Sequence, residues 1–170
     1  FALSECVHII IDGKIEHSCR SKDIFKKTTN KKVAEFLGIC NMASVKEYKI
    51  QDNKILIKCP SNVLHLPLNC NIRDGQTINF GILPDDIKII FKNDSTDDEN
   101  ILKGKIISTI ENGNSCELFV KIPDLDGICR EGVIEIKAFP AQDEKKLFKE
   151  GNEIKVSLPP DKIHVFMENK

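Results

Sequence analysis

An internal repeat constrains the fold of this chain more than any other feature of its sequence. Residues 75–89 align without a gap on residues 151–165, at an offset of 76. Residues 55–60 align on residues 118–123 at an offset of 63, so the second copy holds about 13 extra residues between its two blocks. Self-similarity of this kind indicates two copies of one folding unit. The shared positions of the longer block are Gly75/Gly151, Ile78/Ile154, Phe80/Val156, Ile82/Leu158, Pro84/Pro160, Asp85/Asp161, Ile87/Ile163 and Ile89/Val165.

The apolar residues of each copy alternate with polar ones, which is typical of half-buried antiparallel strands. Ile78, Phe80 and Ile82 share one face of such a strand, and Pro84 ends it because proline cannot donate to a central ladder. Several short strands with frequent turn signals favour small barrels or sandwiches. We therefore predict two tandem β modules, at about 40–92 and 100–167. The other predicted strands are 44–50, 54–59, 63–67, 104–110, 116–122 and 133–139.

The first 38 residues follow a different pattern. Apolar segments 7–11 and 14–17 flank Asp12-Gly13, which is a strong hairpin turn signal. Ser21 is a candidate cap for a short helix that runs to Lys27. We interpret this region as the trailing edge of a larger α/β domain, because elements this short need something else to pack on.

A second short helix is predicted just before the first β module. Val33, Phe36 and Leu37 have the spacing of one helical face, and Gly38 is placed to end the helix.

Composition excludes several classes of function. Lys plus Arg total 25 and Asp plus Glu total 26, and this balance argues against electrostatic binding of nucleic acid. The seven cysteines include no C-x-x-C pair, so we expect buried, reduced thiols in a cytosolic protein and no structural metal site. No apolar run is long enough to span a bilayer, and no secretory signal is visible. The chain begins with Phe1 rather than Met, which favours a fragment or a processed chain.

No catalytic constellation can be nominated from spacing. Asp85-Asp86 and Asp97-Asp98 are paired carboxylates, but both pairs lie in turn or linker contexts without a nucleophile or base beside them. Residues 92–100 contain no apolar side chain and read as a solvated linker between the two modules.

Five segments, in the right order, resemble the C-terminal part of ATP-binding subunits of ABC importers. Residues 2–15 resemble the segment after the switch-histidine loop, and residues 21–25 and 33–38 resemble the two helices that close the nucleotide-binding domain. Gly81-Ile82-Leu83-Pro84-Asp85-Asp86-Ile87 resembles the family's "G-I-R-P-E-D-I" pattern. Residues 157–166 resemble its closing "L-P-P-x-x-I-H-V-F" pattern.

The resemblance implies a mainly β fold of two tandem OB-like small β-barrels, the TOBE domain, preceded by a short α/β segment. Its boundaries would be 1–38 for the remnant of the ATPase domain, 39–93 for the first barrel and 94–170 for the second. It also implies a regulatory and dimerisation role, with permease partners reached through the ATPase domain and a cytoplasmic position at the inner face of the membrane. The chain has no phosphate loop, so we expect no catalysis and no cofactor here, and ATP and Mg²⁺ only in the parent protein.

Within this family the pattern looks most like the molybdate/tungstate group, whose barrels carry an oxyanion motif "S-x-R-N-x-L-K-G". Asn100, Lys103 and their neighbours match its last part, whereas the serine and arginine positions are Asp97 and Glu99, with Asp98 between them. A dianion needs donors and cations, and nearby carboxylates oppose it. The resemblance thus leaves a candidate oxyanion site at Ser95, Thr96, Asn100 and Lys103.

Three other functions stay open at this stage. A free-standing protein of paired barrels that binds an oxyanion or another small ligand would contain the same two modules. The ATPase-like segment 1–38 would have no function in such a protein. An OB-type nucleic-acid binder would need aromatic platforms and a basic groove, and this chain has one Tyr, no Trp and no basic stripe. An enzyme would need a nucleophile or base beside its paired carboxylates.

Overall fold

The computed structural model describes residues 4–25, 30–68, 72, 75–91, 99–141 and 144–167. It contains one short α-helix, α1, at Lys31–Phe36. Single 3-10 turns lie at Ser21–Asp23, Pro84–Asp86, Pro123–Leu125, Arg130–Gly132, Lys145–Leu147 and Pro160–Lys162. The strands are β1 Cys6–Ile11, β2 Lys14–Arg20, β3 Asn41–Val45, β4 Lys49–Gln51, β5 Lys54–Lys58, β6 Val63–Pro67, β7 Ile78–Ile82, β8 Lys88–Ile90, β9 Ile101–Asn112, β10 Ser115–Lys121, β11 Val133–Ala138, β12 Glu153–Ser157 and β13 His164–Met167.

The N-terminal segment begins with the predicted hairpin, which is confirmed. β1 and β2 pair antiparallel, and the turn residues Asp12 and Gly13 have φ of +53° and +76°. Two consecutive positive φ values match the right-handed twist of the strands that such a turn joins.

The predicted capping role of Ser21 is wrong. Ser21 is the first residue of a 3-10 turn, and its hydroxyl donates to the carbonyl of Ser4 at 2.8 Å instead of capping a helix. The hydroxyl is therefore used to tie the end of the hairpin to its beginning. The remainder of the predicted helix, at 26–27, lies outside the described residues.

The predicted second helix is confirmed as α1, and its end is fixed by Gly38. Gly38 has φ of +84°, its N–H donates to the Glu35 carbonyl, and the N–H of Ile39 donates to the Ala34 carbonyl. This paired pattern is a Schellman motif, which satisfies carbonyls that the helix leaves free. The prediction that Phe36 shares the buried face is wrong, since Phe36 is 64% exposed while Val33 and Ala34 are buried.

The two halves of the repeat have the same strand order. The second half forms a five-stranded sheet in the order β11-β10-β9-β12-β8. The first half forms two three-stranded sheets, β4-β5-β6 and β13-β7-β3, which together give the same order because β3 and β4 correspond to the single long strand β9. The predicted strand 44–50 is thus broken at 46–48, whereas its counterpart runs unbroken. The fold is mainly β, with two OB-like units in tandem.

The two halves exchange their last strands. β8 belongs to the first copy but pairs with β12, and β13 belongs to the second copy but pairs with β7. The 3-10 turns that precede these strands, Pro84–Asp86 and Pro160–Lys162, lie 76 residues apart, as the repeat requires. The boundaries 39–93 and 94–170 stay a prediction, and each sheet takes its edge strand from the other copy.

One apolar cluster runs through both halves as a result of this exchange. It includes Ile55 and Phe80 from the first half, Leu118 and Ile136 from the second, and Val165 from the exchanged strand β13. A small separate cluster joins α1 to the first half: Ala34, Ile39 and Phe166 are buried together. Among the described residues, no helix is long and apolar enough to cross a membrane.

Candidate functional site

Asn100, the asparagine of the predicted oxyanion motif, lies buried at the start of β9. Its side-chain Oδ1 accepts from the N–H of His65 at 2.7 Å, and its Nδ2 donates to the carbonyls of His65 at 2.8 Å and Leu158 at 2.9 Å. Its φ is +55°, a conformation that asparagine tolerates better than most residues. The amide therefore binds backbone groups of β6, a strand of the other half.

Asn41, in the first half, makes the equivalent contact with a strand of the second half. It begins β3, opposite Ile82 of β7, just as Asn100 precedes β9 and lies beside Leu158. The Asn41 Nδ2 donates to the carbonyl of Glu135 at 2.7 Å, and the Glu135 N–H donates to its Oδ1 at 2.7 Å. Each half thus holds a strand of the other half with one asparagine amide.

Glu99, which occupies the arginine position of the motif, is paired with a cation. Its carboxylate accepts from Lys54 Nζ at 2.8 and 2.9 Å, and its Oε2 lies 3.7 Å from His65 Nδ1. The hydrogen bonds from Lys54 hold the pKa of Glu99 below its usual range. The carboxylate therefore stays ionised, and a lysine on the neighbouring β5 compensates its charge.

Lys103 is exposed and lies at the edge of a cleft of about 300 Å³ between the two halves. The Asn62 Nδ2 donates to the carbonyl of Ile101 at 2.7 Å, which fixes the β5–β6 connection against β9. The residues that line the cleft are Ser61, Asn62, Ile101, Lys103, Pro123 and Asp124.

A buried carboxylate forms one wall of this cleft. Asp124 is 9% exposed, and its Oδ1 accepts from the N–H of Ser61 at 2.8 Å. Burial, and secondarily the charge of Asp124, raises the pKa of the neighbouring Cys59 thiol to about 11, so this thiol is neutral near pH 7. The cleft thus offers one ammonium group and one hydroxyl to a ligand, beside a carboxylate that a backbone N–H already engages.

The structure brings only part of the predicted site together. Asn100 and Lys103 lie on the same strand end, but the amide of Asn100 is fully engaged with backbone groups while Lys103 faces the cleft. Ser95, Thr96, Asp97 and Asp98 lie outside the described residues. The assignment of these residues to an oxyanion site stays a prediction.

Two contributors to this region were not found from the sequence. Asn62 and Asp124 both follow a strand of the shorter repeat block, in connections of different length, so alignment of the two copies does not place them together. Asn41 was visible only as part of a family-like segment. Its spacing of 59 residues from Asn100 differs from both repeat offsets, so aligning the two copies does not reveal that Asn41 and Asn100 are equivalent.

Within the described part of the chain, no cluster of three or more His, Cys, Asp or Glu residues is arranged to hold a metal ion.

The fold places the chain in a class of paired OB-like β-barrels. Among solved structures, it is similar to the cytoplasmic molybdate-binding protein ModG, with a TM-score of 0.52 and 13% identity over 75% of this chain and 94% of that one. At this identity the likeness concerns the fold alone.

Sequence comparison points to ABC importers. The chain is 22% identical over 99% of its length to the spermidine/putrescine import ATP-binding protein PotA of Clostridium acetobutylicum. It is 23% identical over 98% of its length to the maltose/maltodextrin import ATP-binding protein MalK of Yersinia pestis bv. Antiqua. It spans 41% and 42% of the length of these two relatives. No protein-family model matches the chain. Its homologues are thus ATP-binding subunits of ABC importers, at low identity.

Proposed function

We propose that this chain is the C-terminal regulatory and dimerisation part of the ATP-binding subunit of an ABC importer. The observation that carries the proposal is that similarity to such subunits runs through nearly the whole chain, from the hairpin to the exchanged strand. A protein of barrels alone would have no reason to align over the N-terminal segment as well. This favours the importer subunit over a free-standing binding protein.

The outer face of the hairpin supports the proposal independently. Ile10 and Ile15 are cross-strand partners, and they are 58% and 64% exposed, whereas Ile9 and His17 pair on the inner face and are buried. Two adjacent large apolar side chains on a surface favour a covering partner. In an importer subunit, the body of the ATPase domain would cover them.

The proposed mechanism is mechanical. Ala34 of α1 is buried against Ile39 and Phe166, and this packing would make the N-terminal segment move with the barrels. Two subunits joined through their barrels would keep their ATPase domains close, and a ligand or partner that prefers one barrel arrangement would bias ATPase closure. Permease subunits would bind the ATPase domain, which would place the protein in the cytoplasm at the inner face of the membrane.

The first test is the coding sequence that precedes this segment in the genome. The proposal requires an upstream G-x-x-x-x-G-K-[ST] phosphate loop in the same reading frame. The chain tested alone should show no ATPase activity above background, whereas a protein that includes the upstream region should hydrolyse ATP. An upstream frame without a phosphate loop would overturn the importer assignment.

The second test concerns association. We expect light scattering after size exclusion to report a homodimer at high protein concentration. The double substitution Ile10→Lys and Ile15→Lys should leave this dimer intact, because the hairpin is assigned to the ATPase body and not to the barrel contact. A strict monomer, or a dimer lost in the hairpin variant, would contradict the assignment of dimerisation to the barrels.

A finer part of the proposal concerns the effector. We propose that the Lys103 cleft takes an oxyanion such as molybdate or tungstate, as the resemblance to that importer group implies. Lys103 and the hydroxyl of Ser61 line the cleft, and two nearby carboxylates are already engaged, Glu99 by Lys54 and Asp124 by a backbone N–H. This reduces the repulsion that the sequence alone predicts.

Isothermal titration tests the effector directly. We expect saturable heat with molybdate or tungstate, lost in Lys103→Ala and kept in Lys105→Ala, which removes an exposed lysine two residues along the same strand. No saturable heat with either anion would overturn the oxyanion part and leave the regulatory assignment standing.

A further inference from the structure

A polar residue lies buried in the middle of the sheet β13-β7-β3. Asn79 of β7 is 3% exposed and is the register partner of Ser44 on β3 and of Phe166 on β13. The three side chains thus form one row across the sheet. Phe166 is buried with Ala34 and Ile39, so this row lies on the face that the N-terminal segment covers.

The Asn79 amide is only half satisfied. Its Oδ1 accepts from the hydroxyl of Ser44 at 2.5 Å. Its Nδ2 is buried, and no hydrogen-bond acceptor lies within its reach among the residues that the structure describes. Buried polar side-chain atoms nearly always have a partner, so an amide donor in this position favours a ligand oxygen beside it.

A cavity of about 200 Å³ is lined in part by Asn79. Its walls come from three parts of the chain: α1, the sheet row, and the β10–β11 connection, which reaches the edge strand β3 through a bridge between Cys129 and Ala43. The lining residues are Lys31, Met42, Ala43, Ser44, Asn79, Ile128, Cys129 and Phe166.

The charges around the cavity favour a small anion. Among the described lining residues, Lys31 has the one ionic side chain, and it lies 3.9 Å from the carboxylate of Glu35 on the exposed side of the helix. Burial raises the pKa of the Cys129 thiol, which therefore stays neutral and adds no negative charge. Met42, Ile128 and Phe166 provide apolar walls.

We propose that this cavity is a binding site for a small carboxylate. One carboxylate oxygen accepts from Asn79 Nδ2, the charge is balanced by Lys31, and the apolar body of the ligand lies against Phe166, Met42 and Ile128. A single exposed lysine balances a monoanion better than a dianion, and the apolar walls have no role for an inorganic ion. The site contains neither Asn100 nor Lys103, so it does not depend on the function proposed above.

Such a ligand would contact the N-terminal segment and both halves of the repeat at once. Because Lys31 belongs to α1 and Cys129 to the second half, the bound state would hold these parts in one arrangement. Carboxylate binding would then stabilise the folded chain as a whole.

The test is a titration followed by ¹H–¹⁵N NMR, with butyrate and benzoate as probes and sulfate and molybdate as inorganic comparisons. The side-chain NH₂ signals of Asn79, assigned by their absence in Asn79→Leu, should shift saturably with a carboxylate. Lys31→Ala should weaken binding about twofold to fivefold, as expected for one exposed charge. Lys32→Ala, its exposed neighbour on the same helix, should leave affinity unchanged.

The possible outcomes are distinct. Saturable carboxylate binding that shifts the Asn79 amide and depends on Lys31 but not Lys32 supports the site. If Asn79→Leu fails to fold, saturable carboxylate binding that is weakened in Lys31→Ala and unchanged in Lys32→Ala still decides the matter. Absence of saturation, equal effects of the two lysines, or saturation by sulfate or molybdate alone would overturn the assignment to a carboxylate.

Discussion

Asn41 and Asn100 hold the two halves of the molecule together by the same contact made in opposite directions. Asn100 binds the backbone N–H and carbonyl of His65, and Asn41 binds the backbone N–H and carbonyl of Glu135. His65 and Glu135 occupy equivalent positions on β6 and β11, opposite Leu56 and Phe119. The pairing is therefore a two-fold relationship, and it gives the asparagine of the family-like motif a structural role.

We expect Asn100→Ala to lower the free energy of unfolding by about 3 kcal/mol. The substitution removes three hydrogen bonds and leaves part-buried backbone groups of His65 and the buried carbonyl of Leu158 without their partner. Urea denaturation measures the change.

The matched control is Asn53→Ala. Asn53 has φ of +58°, close to that of Asn100, but it is exposed in the β4–β5 turn. Its loss should cost about 1 kcal/mol, which reports the backbone conformation alone. Equal effects of the two substitutions would show that the amide contacts of Asn100 contribute nothing.

Gly104 is required by the close approach of two strands. A Cβ at this position would lie 2.5 Å from Val120 Cγ1 and 2.9 Å from Ile122 Cγ1. Gly104→Ala should therefore lower the unfolding free energy by about 1–3 kcal/mol, the usual effect of overpacking. Lys105→Ala, at the exposed neighbour, should change it by less than about 0.5 kcal/mol.

A double-mutant cycle gives the decisive measurement for Gly104. If the clash with Val120 is the cause, adding Val120→Ala should cost less in the Gly104→Ala background than in the native chain. Additive effects would place the cause elsewhere.

The exchange of strands predicts that neither half is independent of the other. Removing residues 164–170 takes away β13, which pairs with β7 and brings Val165 and Phe166 into the buried clusters. We expect the shortened chain to lose the dispersed amide signals of β3 and β7. Removing residues 1–25 takes away the hairpin, the 3-10 turn after it and Ile24, which packs on α1, but no strand of the sheet β13-β7-β3, and should leave those signals in place. Native-like β3 and β7 signals in the chain without β13 would contradict the exchange.

The sequence predicted local elements well, because a strand and its turn are encoded within a few residues. The alternation at Ile78, Phe80 and Ile82, followed by Pro84, predicted β7 and its end, and the same pattern in the second copy predicted β12. Asp12-Gly13 specified the hairpin, and Gly38 specified the end of α1. Each of these predictions depends either on the period-two alternation of apolar residues or on a backbone conformation that few residue types adopt.

The strand exchange was not predictable, because it depends on contacts between residues that are far apart in the sequence. β8 and β13 are equivalent in the repeat, so either one fits the edge of either sheet, and the local pattern cannot choose between them. The candidate site depends on that choice, because the contacts of Asn41 and Asn100 cross from one half to the other. The burial of Phe36 was predicted wrongly for a related reason. Helical spacing identifies which residues share an apolar face, but it does not show which of them another part of the chain covers.

The half-buried imidazole of His164 should make the stability of the fold depend on pH. Desolvation at β13 lowers the pKa of His164, and the nearby charge of Asp86 only partly opposes this. The folded chain then binds fewer protons than the unfolded one between the lowered pKa and the ordinary value of about 6.5. The contribution is unfavourable only when the unfolded imidazole is charged, so the free energy of unfolding should fall as pH drops below about 6.5. Urea denaturation of the native chain and of His164→Gln across pH 5 to 8 measures this, with His8→Gln on the exposed hairpin face as the control. The variant should show a smaller fall than the native chain and the control, and an equal fall in all three would assign the pH dependence to other groups.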